Sequence, residues 1–185
     1  MTQLLHFQAM RQQFAPTIRA ATGADLPGIL EIYAAEVAHG TATFEDVPPS
    51  LAELGARHAA AVALGCPYLV ADCGGRIAGF AYAGSFRARS GFRTVVESTV
   101  YVAPHAARSG VGRALMERVI EECAGAGFQQ MVAVIGGDNE ASIAFHATLG
   151  FHVAGRLERV GYKFGRWLPV TIMQRALGGA EPDQK

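Results

Sequence analysis

The sequence is short of charge. Asp, Glu, Lys and Arg make up 17% of its 185 residues, and 16 basic side chains balance 16 acidic ones, against roughly 25% charged residues in an average globular protein. A chain with no net charge has no long-range field to gather DNA, RNA or an acidic membrane surface, so nucleic acid is disfavoured as the main partner. Cysteine is scarce too. Cys66, Cys73 and Cys123 are odd in number and scattered, with neither a C-x-x-C pair nor the His spacing of a zinc site. The expectation is reduced thiols, no metal and a cytoplasmic location. No apolar run reaches the ~20 residues of a membrane span, and residues 1–16 lack the pattern of a signal peptide. With no repeat, linker or low-complexity block, the length argues for one domain, 17–177, between an N-terminal extension (1–16) and a flexible C-terminal tail (178–185).

Half of the residues are hydrophobic, and their spacing divides the chain into elements. Thr17–Ala21 alternates as a short strand, followed by a turn and cap at Thr22–Asp25. Leu26, Ile29, Leu30, Tyr33 and Val37 form one apolar stripe, which predicts a helix ending near Gly40. After a loop over 41–49, Ser50 and Glu53 make a capping-box pattern that opens a second helix through about Leu64. Gly74-Gly75 joins two predicted strands, Tyr68–Asp72 and Arg76–Ser85, as a hairpin. Arg93–Val102 reads as a strand with Val96, Ser98, Val100 and Val102 on one face and Val95, Glu97, Thr99 and Tyr101 on the other. The spacing of Val111, Leu115, Val119 and Cys123 predicts an amphipathic helix. Met131–Ile135 is an unbroken apolar run, suited to a parallel strand buried on both faces. Asn139 caps a last helix that Gly150 closes, and Phe151–Val160 and Trp167–Ala176 complete the domain. The order β-α-α-β-β-β-α-β-α-β-β predicts an α/β domain with a mixed sheet, antiparallel hairpins early and one parallel β-α-β crossover.

The strongest local feature is Arg108-Ser109-Gly110-Val111-Gly112-Arg113, set between a strand and a helix. Glycines let the backbone approach a ligand closely, and the free amides of a helix start attract a phosphate, with Arg108 and Arg113 available for charge-assisted contacts. The same turn also serves as an ordinary tight connection. A Walker loop is excluded because no Gly-Lys-Ser/Thr occurs, and a Rossmann fingerprint would need a glycine where Leu115 stands.

This turn, the strand before it, and Asn139 through Gly150-Phe151 together resemble the GCN5-related N-acetyltransferase (GNAT) superfamily. Further stretches resemble one branch of it, the phosphinothricin and methionine sulfoximine N-acetyltransferases: Ile18–Thr22, Thr43-Phe44-Glu45, Phe86–Arg89, Val96–Val102 and Gly161–Trp167. The resemblance covers about Thr17–Leu177. It implies a single GNAT domain whose mostly antiparallel sheet has its parallel crossover at the acetyl-CoA site, with no metal. It further implies a homodimer that transfers acetyl from acetyl-CoA to the α-amine of a small glutamate-like amino acid. Val100, Tyr101 and Val102 match the strand that pairs with the pantetheine arm, Arg108 to Arg113 match the pyrophosphate loop, and Asn139 matches an Asn that contacts the coenzyme. The loop departs from the family at Ala107, where a Gln or Arg is usual. Phe164 and Leu168 stand where phosphinothricin-specific members tend to carry His, which makes phosphinothricin itself the poorer fit.

An ammonium group cannot attack a thioester, so a base must remove its proton before a tetrahedral intermediate forms. Glu97 matches the family's base, acting directly or through a water; without the resemblance it reads as a carboxylate on a solvated sheet face. A strand bulge near Ser98–Val100 is expected to free an amide for the oxyanion. His146 stands where many members place a tyrosine acid, and is the candidate donor to the departing thiolate; its other reading is a partly buried helix His. Arg87 and Arg89, flanking Ala88, are the candidate receptor for the substrate carboxylate. Ser98, Thr99 and Phe44, with Glu45, are candidates for the same pocket. Two other functions stay open at this level: acetylation of another small amine or a peptide N-terminus, and a non-catalytic acyl-CoA-binding module.

Overall fold

The computed structural model describes residues 16–178, so the proposed extension and tail lie, apart from Pro16 and Gly178, outside the described residues. Seven strands, β1 (Thr17–Ala20), β2 (Tyr68–Cys73), β3 (Arg76–Ser85), β4 (Val95–Val102), β5 (Gln130–Gly136), β6 (His152–Lys163) and β7 (Arg166–Ala176), form one sheet in the order β1-β2-β3-β4-β5-β7-β6. Four helices, α1 (Leu26–His39), α2 (Leu51–Ala63), α3 (Val111–Gly125) and α4 (Glu140–Thr148), pack against it. Only β4 and β5 are parallel. They are joined across α3, because parallel neighbours need a crossover rather than a tight turn.

The predicted signals act as expected at the helix ends. Ser50 Oγ accepts from the Glu53 amide at 3.2 Å while the Glu53 carboxylate takes the Ser50 amide at 2.7 Å. Asn139 accepts from the Ser142 amide at 3.0 Å, and Gly150, at φ +84°, ends α4. Val111, Leu115, Val119 and Cys123 are buried along one side of α3. A Cβ on Gly79 would touch Val111 and Leu115, so α3 covers the face carrying Val96, Ser98, Val100 and Val102. Helix α1 covers the other face, where Tyr33 meets Tyr101 edge-on at 5.2 Å. Arg19 ties β1 to the first turn and to β2, reaching Asp25 at 2.7 Å and Asp72 at 2.9 Å.

Two boundaries and one burial pattern depart most from the sequence reading. β4 begins at Val95, not Arg93, because Ser90–Phe92 closes a short 3-10 turn in which the Phe92 amide bonds Arg89 O and the Phe92 ring meets Phe86 at 5.8 Å. β6 runs to Lys163 instead of stopping at Val160. Phe164 (φ +50°) and Gly165 (φ +73°) form the whole connection to β7, a two-residue turn whose left-handed pair matches the twist of its strands. Finally, β5 is not buried throughout: Val134 is 39% exposed. It faces an opening in the sheet.

Candidate active site

β4 and β5 separate within the sheet. Their ladder runs from Val95↔Gln130 to Ser98↔Ala133 and ends there. Each strand continues, β4 still paired to β3 through Val102↔Gly79 and β5 to β7 through Gly136↔Val170. From Thr99 and Val134 onward the two facing edges are therefore unpaired, leaving a wedge of backbone donors and acceptors that requires a partner. An extended amide chain fits such an edge as an added strand would. The expected bulge at Ser98–Val100 is absent, since the register against β3 is unbroken. Divergence from β5 frees the backbone groups instead.

A cavity of about 300 Å³ lies at this split. Glu97, Ser98, Thr99, Val100, Tyr101, Phe44, Glu45, Asn139 and His146, nine of the residues singled out by sequence, line it together. Glu97, Thr99 and Tyr101 share the α1 side with Tyr33 and Tyr82, whereas Asn139, Ser142 and His146 come from α4. The cavity thus joins the two faces of the sheet. Burial pushes the Glu97 carboxyl above the ordinary carboxylate range, and the Arg87 charge opposes this. Such a carboxylate holds a proton more firmly than a solvated one, as a base for an amine should.

His146 is 5% exposed and lies against Phe145 and Phe151. Its Nδ1 is 2.8 Å from the Ser142 carbonyl oxygen, so Nδ1 carries a hydrogen and donates. Burial lowers its pKa, and the neutral ring then presents a lone pair at Nε2.

The glycine turn sits beyond Val102. Gly110, at φ +90°, precedes α3, whose first backbone bond is Ala114 N to Gly110 O. The amides of Val111, Gly112 and Arg113 are thus left for a ligand. A Cβ on Gly112 would stand 3.3 Å from Val102, so the helix start lies against the open edge of β4. Wedge and amide cluster together fit a long ligand with amide groups along an arm that leads to a pyrophosphate, which is the chemistry of coenzyme A. Arg108 and Ser109 are exposed beside it. Arg113 is already engaged, its guanidinium donating to Glu117 at 2.8 Å and to Thr148 at 2.9 Å.

Arg87, Ala88 and Arg89 do not line the cavity. They are exposed in the turn after β3, where Arg87 donates to Phe86 O and lies 4.3 Å over its ring. The loop over 41–49 brings other groups instead. Tyr33 bonds Thr43 Oγ1 at 2.9 Å, Glu36 accepts from the Ala42 amide at 2.9 Å, Arg57 of α2 reaches Glu45 at 2.7 Å, and Lys163, 2% exposed, donates to Thr43 O at 2.8 Å. The Phe44 ring lies over Gly161 and Gly136, where a Cβ would collide. Tyr33, Tyr82 and Arg57 had no signal above core or surface in the sequence, and Lys163 stood out only as part of the Gly161–Trp167 stretch. Gly161, within a predicted run of strand and turn, was the one hint of a close approach.

A model of the GNAT acetyltransferase domain matches residues 18–172. The phosphinothricin N-acetyltransferase of Alcaligenes faecalis is 45% identical over 168 residues, 90% of this chain and 85% of that protein. The L-methionine sulfoximine/L-methionine sulfone acetyltransferase of Pseudomonas aeruginosa is 43% identical, over 85% of this chain and 92% of its own. The crystal structure of a GNAT superfamily phosphinothricin acetyltransferase from Sinorhizobium meliloti in complex with AcCoA superposes with a TM-score of 0.88 at 44% identity, covering 92% of this chain and 94% of that one.

Proposed function

The chain belongs to the GNAT acetyltransferase family and is an acetyl-CoA-dependent N-acetyltransferase; from that premise we propose that its acceptor is the α-amine of a small glutamate-like amino acid, L-methionine sulfoximine, L-methionine sulfone or phosphinothricin in type. The observation that carries this reading is Glu97, a half-buried carboxylate facing the cavity just before the two strands part. Two of the relatives named above act on amino acids of that shape. The cavity volume of about 300 Å³ suits an acceptor of such size.

Bound acetyl-CoA supplies an acetyl group activated as a thioester. The protein's part begins at Glu97, which takes one proton from the substrate ammonium and leaves the nitrogen lone pair free for the acyl carbon. Unpaired amides on the open edge of β4, from Thr99 onward, face the developing negative charge on the acyl oxygen. Val100, Tyr101 and Val102 hold the pantetheine arm along that edge. The amides from Gly110 to Arg113, with Arg108 and Ser109, hold the pyrophosphate, and Asn139 lines the approach. Arg87 and Arg89, with Ala88, lie outside the cavity in the turn after β3; Arg87, whose charge reaches Glu97, acts with Arg89 as the receptor for the α-carboxylate from that turn, while Ser98, Thr99 and Phe44 shape the pocket. His146 donates to the departing sulfur only as the imidazolium, which burial disfavours; its neutral ring acts as a hydrogen-bond acceptor, and the second proton that the nitrogen loses as the amide forms goes to the departing thiolate, directly or through water.

We place the enzyme in the cytoplasm, on Cys66 and Cys123, free thiols whose pKa burial pushes up to about 11 and about 12. Among the described residues no helix is long and apolar enough to cross a membrane. A homodimer is proposed through the edge strand β6 and its hairpin, where Leu157, Val160, Tyr162, Phe164 and Trp167 are each 47–57% exposed.

The test incubates acetyl-CoA with L-methionine sulfone, L-methionine sulfoximine, phosphinothricin and ordinary amino acids, and detects N-acetyl product by mass. Product from the first three that falls about 10²–10⁴-fold in Glu97→Gln, with coenzyme affinity unchanged, supports the assignment. Coenzyme binding without any acetylated amino acid overturns the acceptor.

A further inference from the structure

The cavity has an unusual charge inventory. Two carboxylates, Glu97 and Glu45, line it, and Arg57 is its one guanidinium among the described residues. Arg57 belongs to α2 and Glu45 to the loop over 41–49, so the pair meets across two elements with Nη1 2.7 Å from the carboxylate. As a stabilising contact it is worth little, because both side chains are more than a third exposed or close to it, at 42% and 34%. As part of a pocket wall its position matters more. A guanidinium offers five N–H donors in a planar fork, and Glu45 occupies one nitrogen. The phenols of Tyr33 and Tyr82 line the same wall.

We propose that the Arg57–Glu45 pair is the subsite for the substrate side chain, and that it selects side chains ending in neutral, dipolar oxygens over anionic ones. This rests on the acetyl-transfer reading above, and it deepens that reading. Arg57 donates to a sulfone or sulfoximine oxygen. Glu45 offsets the guanidinium charge, so such a neutral group gains hydrogen bonds without repulsion. A phosphinate gains the same hydrogen bonds and also meets the Glu45 carboxylate and the cavity's excess negative charge. Like charges a few ångströms apart near a protein surface oppose one another by one or more powers of ten in affinity. The amine is left beside Glu97, on β4.

The experiment measures equilibrium binding of L-methionine sulfone, phosphinothricin and L-methionine to the enzyme saturated with desacetyl coenzyme A, so that no turnover intervenes. Wild type is compared with Arg57→Gln and Glu45→Gln. The expected pattern has three parts. Wild type binds the sulfone at least tenfold more tightly than methionine, which has the same length without the oxygens. Arg57→Gln removes that preference. Glu45→Gln moves the ratio of phosphinothricin to sulfone affinity about tenfold towards phosphinothricin. Equal affinity of wild type for sulfone and methionine, or ratios unmoved in both variants, overturns the proposal. N-acetyl product is followed in parallel with acetyl-CoA. The predicted binding pattern without product would remove the acetyl-transfer reading and leave the subsite, whereas product with unmoved ratios would do the reverse.

Discussion

Gly161→Ala isolates the contact that seats the loop over the active site. A Cβ at this position would lie 2.6 Å from Phe44 Cδ1 and closer still to two further ring atoms, well inside any ordinary carbon contact. Its other edge lies against Gly136, where a Cβ would come within 3.1 Å of Cε2, so the ring is held between two glycines and has only the cavity to move into. Phe44 must therefore swing out, carrying with it the segment whose Thr43 and Glu45 are bonded to Tyr33, Lys163 and Arg57. Overpacking of this kind costs about 1–3 kcal/mol, which for a domain of this size corresponds to a fall of about 3–10 °C in Tm. The larger effect should fall on the acceptor. KM for the amino acid rises at least tenfold while KM for acetyl-CoA, for which the proposed site is the open edge of β4 and the start of α3, stays within about twofold. Thermal melts and steady-state kinetics on both substrates read this directly. Relief follows if the cause is the ring: in Gly161→Ala/Phe44→Leu the stability loss should be smaller than the sum of the single losses, a coupling a double-mutant cycle measures. An unchanged acceptor KM, or strict additivity in the cycle, refutes the reasoning.

Glu97 carries a pH signature with two readouts. Its raised pKa places the acid limb of kcat/KM above the ordinary glutamate value of about 4.3. Because the folded state holds this proton to higher pH than the unfolded chain, the favourable contribution exists at low pH and is lost as pH rises through the folded value. Glu97→Gln should therefore raise Tm at neutral pH and leave it unchanged near pH 4. His146 runs the other way. Burial lowers its pKa, so stability is full above the unfolded value of about 6.5 and declines as pH falls. His146→Gln should flatten the loss of Tm between pH 7 and pH 5 and change kcat less than tenfold, whereas a loss of a hundredfold would restore it as the acid. For the proposed dimer, Leu157→Asp combined with Trp167→Asp should halve the mass measured by light scattering without lowering Tm by more than a few degrees; a monomeric wild type would sink that interface.

The element order, the caps at Ser50 and Asn139 and the amphipathic α3 were legible because each rests on local periodicity or turn chemistry; Glu97 by periodicity alone read as a carboxylate on a solvated sheet face, and only the family resemblance singled it out. Those signals act over a few residues, and the chain cannot avoid obeying them. The boundaries that failed were likewise decided beyond a few residues. The 3-10 turn before β4 depends on Phe92 meeting Phe86, and the extension of β6 depends on its pairing with β7. The sequence placed the guanidiniums of the site at Arg87 and Arg89 because family motifs carry them there, but the structure leaves both outside the cavity and puts Arg57 in its wall.

By itself, then, the sequence determined which segments become strands and helices, where a glycine turn meets a helix start, and that a glutamate sits in the strand before it. Only the tertiary structure decided that β4 and β5 part after Ser98 and Ala133, that β7 and not β6 follows β5, and that Lys163, Arg57 and Gly161 seat the loop over 41–49 on the cavity. The reason is physical. Backbone preferences and hydrophobic period are properties of neighbours along the chain, whereas an unpaired edge, a collision avoided by a missing Cβ and a buried ammonium's acceptor exist only between segments as far apart as Thr43 and Lys163.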